Sequence, residues 1–192
     1  LHRAIDACQN GIMITDSTQT DNPIVYVNQG FETLTGYSKE EVMGKNPRFL
    51  HKHHPHQTAL REVSTALQEQ RKCNVILQNT RKNTTRWWNQ LSISPVPDTT
   101  GTLLTHFIGV QTDITQRQEM ELALRLSEEK FAKAFSTNPA PMMICTLREG
   151  QLLDVNNSFC RLSGYNREEL LTRSTIDLRI WVDSKERDRI TK

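Results

Sequence analysis

Short apolar runs alternate with polar turns along the first two thirds of the chain and predict five strands. Residues 12–15 and 24–27 are rich in β-branched side chains, and the polar stretch between them predicts a hairpin turn. Three more strand-like runs cover residues 73–79, 87–94 and 103–113, separated by turn-forming residues. A strand pair, a helical middle and a three-strand meander predict an α+β domain with an antiparallel sheet.

Two helical patterns complete this part of the chain. Apolar residues at three-to-four spacing predict a helix over residues 57–71. Thr115 and Gln118 fit a capping box that opens a second helix running to about residue 135. One stripe of this helix is apolar, formed by Met120, Leu124, Phe131 and Phe135. Two interpretations stay open for the stripe: it pairs with the same helix of a second copy, or it packs on its own domain.

One segment of the chain occurs twice. Residues 26–45 and 154–173 align with identities at eight positions, from Val27 and Val155 to Glu41 and Glu169. A spacing of about 130 residues is too long for a solenoid repeat and fits two copies of one domain. The second copy ends soon after its matching segment, so we expect it to be incomplete in this chain.

Composition and charge exclude several classes of function. The chain has 192 residues, 36% of them hydrophobic, and a formal net charge of +2, which gives no electrostatic case for nucleic acid. The sequence predicts neither a membrane span nor a signal peptide. Four scattered cysteines without a C-x-x-C pair indicate a reduced, cytoplasmic protein. Motifs for a nucleophile elbow, a phosphate loop or a zinc quartet are missing, so we expect any enzymatic effector to lie outside this segment.

The repeated pattern Val-Asn-x-x-Phe-x-x-Leu-(Ser/Thr)-Gly-Tyr-x-x-Glu-Glu resembles the PAS sensory family. The first copy resembles the light-oxygen-voltage (LOV) flavin photoreceptors of that family, through residues 44–51, 77–82, 87–96 and 107–115. This resemblance implies a PAS fold, a five-stranded antiparallel sheet with helices on one face. It also implies three parts: a LOV-like domain over 1–114, a linker helix over 115–135 and the N-terminal part of a second PAS domain over 136–192.

By position, the resemblance further implies a pocket for flavin mononucleotide (FMN). Asn79 and Asn89 would hydrogen-bond the polar edge of the isoalloxazine ring, and Gln111 would face the ring atoms that change protonation on reduction. Asn46 would contact the ring system and Arg48 the phosphate. His51 and Gln57 are also candidate cofactor-binding residues, although the family has glutamine at the first place and often arginine at the second. Ser64 likewise stands where arginine is frequent, and Arg61, one turn away, is a possible substitute.

Strand parity agrees with this placement. Asn79, Asn89 and Gln111 each fall on the predicted inward face of their strands, in phase with apolar neighbours. Burying three amides is costly unless something polar lies between them. The alternative interpretation is structural, since amides also occupy the solvent face of edge strands and many PAS domains hold no cofactor.

One departure from the resembled family bears on the chemistry. Pro47 stands at the position of the cysteine that forms the flavin adduct, so a cysteinyl adduct is excluded at that place. Proline in a first helical turn is sterically acceptable, so the fold is unaffected.

The sequence therefore predicts the sensory part of a multi-domain receptor. The main hypothesis is flavin-based blue-light or redox sensing without a cysteinyl adduct, passed through the linker helix of a homodimer to a downstream effector domain in the same full-length chain. The alternatives are a cofactor-free dimerisation and relay module, or sensing of haem or a small ligand. Residues 51–56 contain four histidines, but they lack the ligand spacing of a metal site, and we expect a solvated loop.

Overall fold

The computed structural model describes residues 8–52 and 55–180. Backbone contacts divide the chain into two compact units, Leu1–Met120 and Glu121–Lys192. Each unit has a hydrophobic core of its own. Within the described ranges, the search for a helix long and apolar enough to cross a bilayer finds none.

Five antiparallel strands form the sheet of the first unit. They are β1 (Gly11–Asp16), β2 (Ile24–Val27), β3 (Cys73–Thr80), β4 (Arg86–Pro97) and β5 (Leu104–Asp113), in the spatial order β2-β1-β5-β4-β3. The pairing of β1 with β5 aligns Gly11 with Gln111, and that of β4 with β5 aligns Leu91 with Gln111. The predicted α+β fold with a five-stranded antiparallel sheet is confirmed.

Short helices connect β2 to β3. They are α1 (Gln29–Thr35), α2 (Lys39–Val42), a 3₁₀ helix (Pro47–His51) and α3 (Thr58–Gln68). The Asn28 side chain holds the start of α1, because its Oδ1 accepts hydrogen bonds from the backbone N–H groups of Ile12 (2.7 Å) and Phe31 (2.9 Å). Gly36 ends α1 in the left-handed conformation, at φ 76°.

The core of the first unit lies between the inward face of the sheet and these helices. Phe31, Leu50 and Leu77 are among its fully buried side chains. Each contributes about 1.5–3 kcal/mol by leaving water. The 3₁₀ helix and α3 both pack against β3, the strand at one edge of the sheet.

The helix that follows β5 is α4 (Thr115–Thr137). The capping box predicted at Thr115 is wrong, because Thr115 is already the first helical residue and its hydroxyl accepts a hydrogen bond from the Trp88 N–H (2.9 Å). The Thr115 N–H donates to Asp113 Oδ1 at 2.8 Å. On this helix Met120, Leu124 and Phe131 are exposed, whereas Phe135 is buried.

The second unit repeats the local structure of the first. It contains β6 (Met143–Cys145), β7 (Leu152–Val155), α5 (Asn157–Ser163) and α6 (Arg167–Leu171). Asn156 holds the start of α5 as Asn28 holds α1, with Oδ1 accepting from the N–H groups of Met142 and Phe159. Asn166 caps α6 through reciprocal hydrogen bonds with Glu169 of 2.9 and 3.0 Å.

Candidate functional site

A cavity lies in the first unit between the sheet, the 3₁₀ helix and α3. Most of its wall is apolar, and the contributing side chains are Met13, Leu50, Leu60, Val63, Leu67, Leu77, Leu91, Ile93 and Phe107. Its volume is about 90 Å³, whereas one water needs roughly 10–15 Å³ by the same measure. The cavity therefore has room for more than a single water, in a largely apolar environment.

Three amides project into this cavity from three neighbouring strands. Asn79 of β3, Asn89 of β4 and Gln111 of β5 line it together and are 2%, 0% and 1% exposed. Their inward orientation, predicted from strand parity, is thus confirmed. The three side chains converge because antiparallel pairing brings alternate residues of adjacent strands to the same face.

The described residues leave these amides largely unsatisfied. Among them, Asn79 Oδ1, Gln111 Oε1 and both polar atoms of the Asn89 side chain are buried without a hydrogen-bond partner. Gln111 Nε2 donates to the sulfur of Met13, at 3.4 Å. An unpaired buried polar group costs about 1–3 kcal/mol. Such a cluster in an apolar cavity is best explained by a bound molecule that supplies both donors and acceptors.

Residues of the 3₁₀ helix and its cap close one side of the cavity. Asn46, Pro47 and Arg48 all line it. Asn46 caps this helix, with its Oδ1 accepting from the Arg48 N–H at 3.0 Å, and its Nδ2 donates to the carbonyl of Asp21 at 2.5 Å. The Arg48 guanidinium forms an ion pair with the Asp21 carboxylate at 2.5 Å. Arg48 thus stands at the mouth of the cavity, but a carboxylate already pairs with it.

His51 also lines the cavity. Burial, and to a smaller extent the nearby Arg48 charge, lower the pKa of His51 below its ordinary value. This favours a neutral imidazole at pH 7. His53 and His54 lie outside the described residues, and the remaining described side chains form no cluster of three metal-ligating groups.

Gln57 lies elsewhere. Its side chain pairs with the backbone of β3, donating to the Gln78 carbonyl (2.9 Å) and accepting from the Gln78 N–H (2.6 Å). Gln57, Arg61 and Ser64 line a separate surface pocket rather than the main cavity. Six of the seven candidate residues are therefore gathered around one cavity, and Gln57 supports the strand beside it.

The sequence pattern missed several parts of the wall. Asn22 lines the cavity, its Oδ1 is buried with no partner on any residue that the structure describes, and its φ of 50° is left-handed. Asparagine is one of the few residues that adopt this conformation readily. Its identity is therefore a signal in the sequence, but interpreting the segment only as a polar turn does not use it. Gly109 leaves space for Met13, since a Cβ there would lie 2.7 Å from the Met13 methyl group.

Hydrogen bonds connect β4 and β5, two of the strands that carry the amides, to the start of α4. Asp113, two residues beyond Gln111, accepts from the Thr115 N–H and forms an ion pair with Arg81 at 2.5 Å. Arg81 also donates to the Leu34 carbonyl. Burial raises the pKa of Asp113, but the hydrogen bonds from Thr115 and the Arg81 partner outweigh it and hold that pKa below its ordinary value. Trp88, next to Asn89, donates to the Thr115 hydroxyl and accepts from the Ile114 N–H.

Comparisons with known proteins agree with this geometry. Family models described as PAS domains match residues 9–116 and 129–191. The chain is 33% identical over 173 residues to the bacterioopsin transcriptional activator of Halobacterium salinarum, covering 90% of this chain and 24% of that protein. It is 37% identical over 147 residues to a blue-light photoreceptor of Listeria monocytogenes, covering 76% of this chain and 57% of that protein.

A solved structure has the same fold. It is a light-oxygen-voltage domain studied with a flavin analogue, and it superposes with a TM-score of 0.56 at 35% identity. The alignment covers 66% of this chain and 93% of that one. The chain spans well under two thirds of the length of the two curated relatives.

Proposed function

This chain belongs to the PAS domain family, and from that premise we propose that its first unit is a flavin-binding sensor of blue light or redox state. Its relatives include blue-light photoreceptors, and the chain is a sensory signalling module. We take residues 1–114 as the sensor, 115–135 as the linker helix and 136–192 as part of a second PAS domain.

The observation that carries the proposal is the set of unpaired buried amides. Asn79, Asn89 and Gln111 offer donors and acceptors toward one apolar cavity. An isoalloxazine ring matches them, because its pyrimidine edge carries both kinds of group and its remainder is flat and apolar. A bound flavin supplies blue-light absorption and electron-transfer chemistry. The family resemblance indicates the mononucleotide, with Asn46 at the ring. It also makes Arg48 the candidate phosphate contact, a position at which Asp21 competes by pairing with Arg48.

Pro47 supports sensing without a cysteinyl adduct. It lines the cavity, and the family resemblance puts it at the position of the adduct-forming cysteine. Neither Cys8 nor Cys73 is among the described residues of the wall. A flavin held in this cavity would supply electron-transfer chemistry, and Gln111 would be the residue that responds to a changed protonation of the ring. Reorientation of its amide would reach α4 through Asp113, which accepts a hydrogen bond from the Thr115 N–H.

Helix α4 is the part of the chain that we propose carries the signal onward. Met120, Leu124 and Phe131 are each more than half exposed. Their spacing places them on one stripe of the helix, and a contiguous exposed apolar surface is typical of an interaction site. We propose that this helix pairs with its counterpart in a homodimer. We also propose that the full-length chain is a cytoplasmic receptor with an effector domain elsewhere in it.

The visible spectrum of the purified chain tests the flavin. We expect a structured blue absorption band and a yellow chromophore that is released on denaturation. Asn79→Leu with Asn89→Leu should abolish this chromophore. The matched control is Asn74→Leu with Gln90→Leu, because these amides lie on the outward-facing positions of the same strands and should leave the chromophore in place.

Three outcomes would contradict parts of the proposal. A colourless chain that stays free of flavin after incubation with it would leave only a relay function. Full flavin retention in the Asn79 and Asn89 double variant would show that the amides do not hold the ring. Illumination tests the absence of an adduct: a spectrum of the cysteinyl type would contradict the role given to Pro47.

A further inference from the structure

A groove opens at the mouth of the cavity. It shares Asn22, Asn46, Arg48, Leu67 and Phe107 with the cavity wall. Any part of a ligand that extends from the cavity past Arg48 enters this groove. The groove therefore determines what the ligand's tail can be.

The formal charges of the groove cancel. Among the described residues that line it, Asp21 and Arg48 are the charged ones, and they pair with each other. The other described side chains of the groove are polar and neutral or apolar. An anionic tail would thus meet a neutral surface unless Arg48 left Asp21.

Asp21 is held in place by its backbone as well as by its charge. Its φ of 69° is left-handed, its carbonyl accepts from Asn46 Nδ2, and Asn46 Oδ1 accepts from Arg48 Nε at 3.1 Å. Asn46 therefore links the two halves of the ion pair. A phosphate that reaches Arg48 must compete with a carboxylate that is already positioned.

We propose that Asp21 determines the ligand specificity of this mouth, by occupying the position at Arg48 that a phosphate needs. This inference rests on the proposed flavin site. The phosphate then adds little to binding, and the cavity takes riboflavin about as well as FMN. Removal of the Asp21 charge converts the site to one that prefers FMN.

Fluorescence titration of the flavin-free 192-residue chain tests this. We expect the dissociation constants of riboflavin and FMN to agree within about threefold in the unmodified protein. Asp21→Asn should tighten FMN about fivefold, the upper range for an exposed ion pair, and change riboflavin less than twofold. Asparagine tolerates the left-handed backbone. The gain for FMN should shrink as salt is added, because the groups are exposed.

Two further variants isolate the effect. Glu62→Gln breaks another exposed carboxylate–arginine pair, to Arg71 at 2.8 Å, and should leave the ratio of the two affinities unchanged. Asp21→Asn combined with Arg48→Gln should lose the preference for FMN.

The outcomes separate this inference from the proposed function. If both flavins bind but Asp21→Asn leaves their affinity ratio unchanged, the specificity role of Asp21 is refuted while the flavin site stands. A more than tenfold preference of the unmodified chain for FMN would refute it as well. If neither flavin binds, the proposed function fails and this inference fails with it.

Discussion

Substitution of Asn89 by leucine should stabilise the flavin-free protein while it removes flavin binding. Asn89 is fully buried, and both polar atoms of its side chain lack a hydrogen-bond partner within the described part of the chain. Leaving them unpaired costs about 1–3 kcal/mol, and leucine gains apolar burial in their place. The adjoining cavity of about 90 Å³ accommodates the extra volume. We expect the free energy of unfolding to rise by about 2 kcal/mol.

Urea denaturation of the flavin-free chain measures this difference. With a slope of about 2 kcal/mol per molar urea, the midpoint should rise by about 1 M. Trp87 and Trp88 lie in β4, so tryptophan fluorescence in a Trp181→Phe background reports the first unit. A structural asparagine provides the control.

Asn28 is as deeply buried as Asn89 but is fully engaged with Ile12, Phe31 and Asn10. Asn28→Leu loses three hydrogen bonds at about 1 kcal/mol each and should lower the free energy of unfolding by about 3 kcal/mol. A loss of similar size for Asn89→Leu would refute the inference that the Asn89 amide is reserved for a ligand.

Three further expectations concern the linker helix. Thr115→Val removes the acceptor of the Trp88 N–H and should lower stability by about 1 kcal/mol, with faster amide exchange at Trp88; unchanged exchange would contradict this. Asp113 has a lowered pKa, so its stabilising effect is present above the unfolded-state pKa near 3.9 and is lost as pH falls through the lower folded value. Asp113→Asn should reduce this acid-dependent loss, as measured by unfolding between about pH 5 and 2. Leu124→Glu, at an exposed position, should leave the fold intact and convert a dimer to a monomer in analytical ultracentrifugation; a persistent dimer would exclude α4 as the interface.

Much of the fold was predictable because its determinants are local. The repeated segment places an equivalent asparagine, Asn28 or Asn156, at the start of a helix in each copy. The side chain of each forms hydrogen bonds with backbone groups no more than 18 residues earlier in the chain. Strand parity is also local, and it placed Asn79, Asn89 and Gln111 on the inward face.

The missed features depend on contacts between distant parts of the chain. Thr115 has the composition of a helix cap, but Trp88, 27 positions earlier, uses its hydroxyl. The ion pair of Arg48 with Asp21 was missed, because Asp21 reaches it across a turn that local patterns describe only as polar. Gln57 is engaged by the β3 backbone, which no spacing rule indicates.

Met13 packs over Gly109 and forms a flexible part of the cavity wall. The Met13 sulfur accepts a hydrogen bond from Gln111 Nε2, and the Met13 methyl group lies where a side chain at position 109 would project. Because thioether side chains rotate easily, even a single methyl group added at position 109 displaces that end of Met13. Gly109 therefore controls both the depth of the cavity and the hydrogen-bond partner of Gln111, so a larger residue at this position would change both at once.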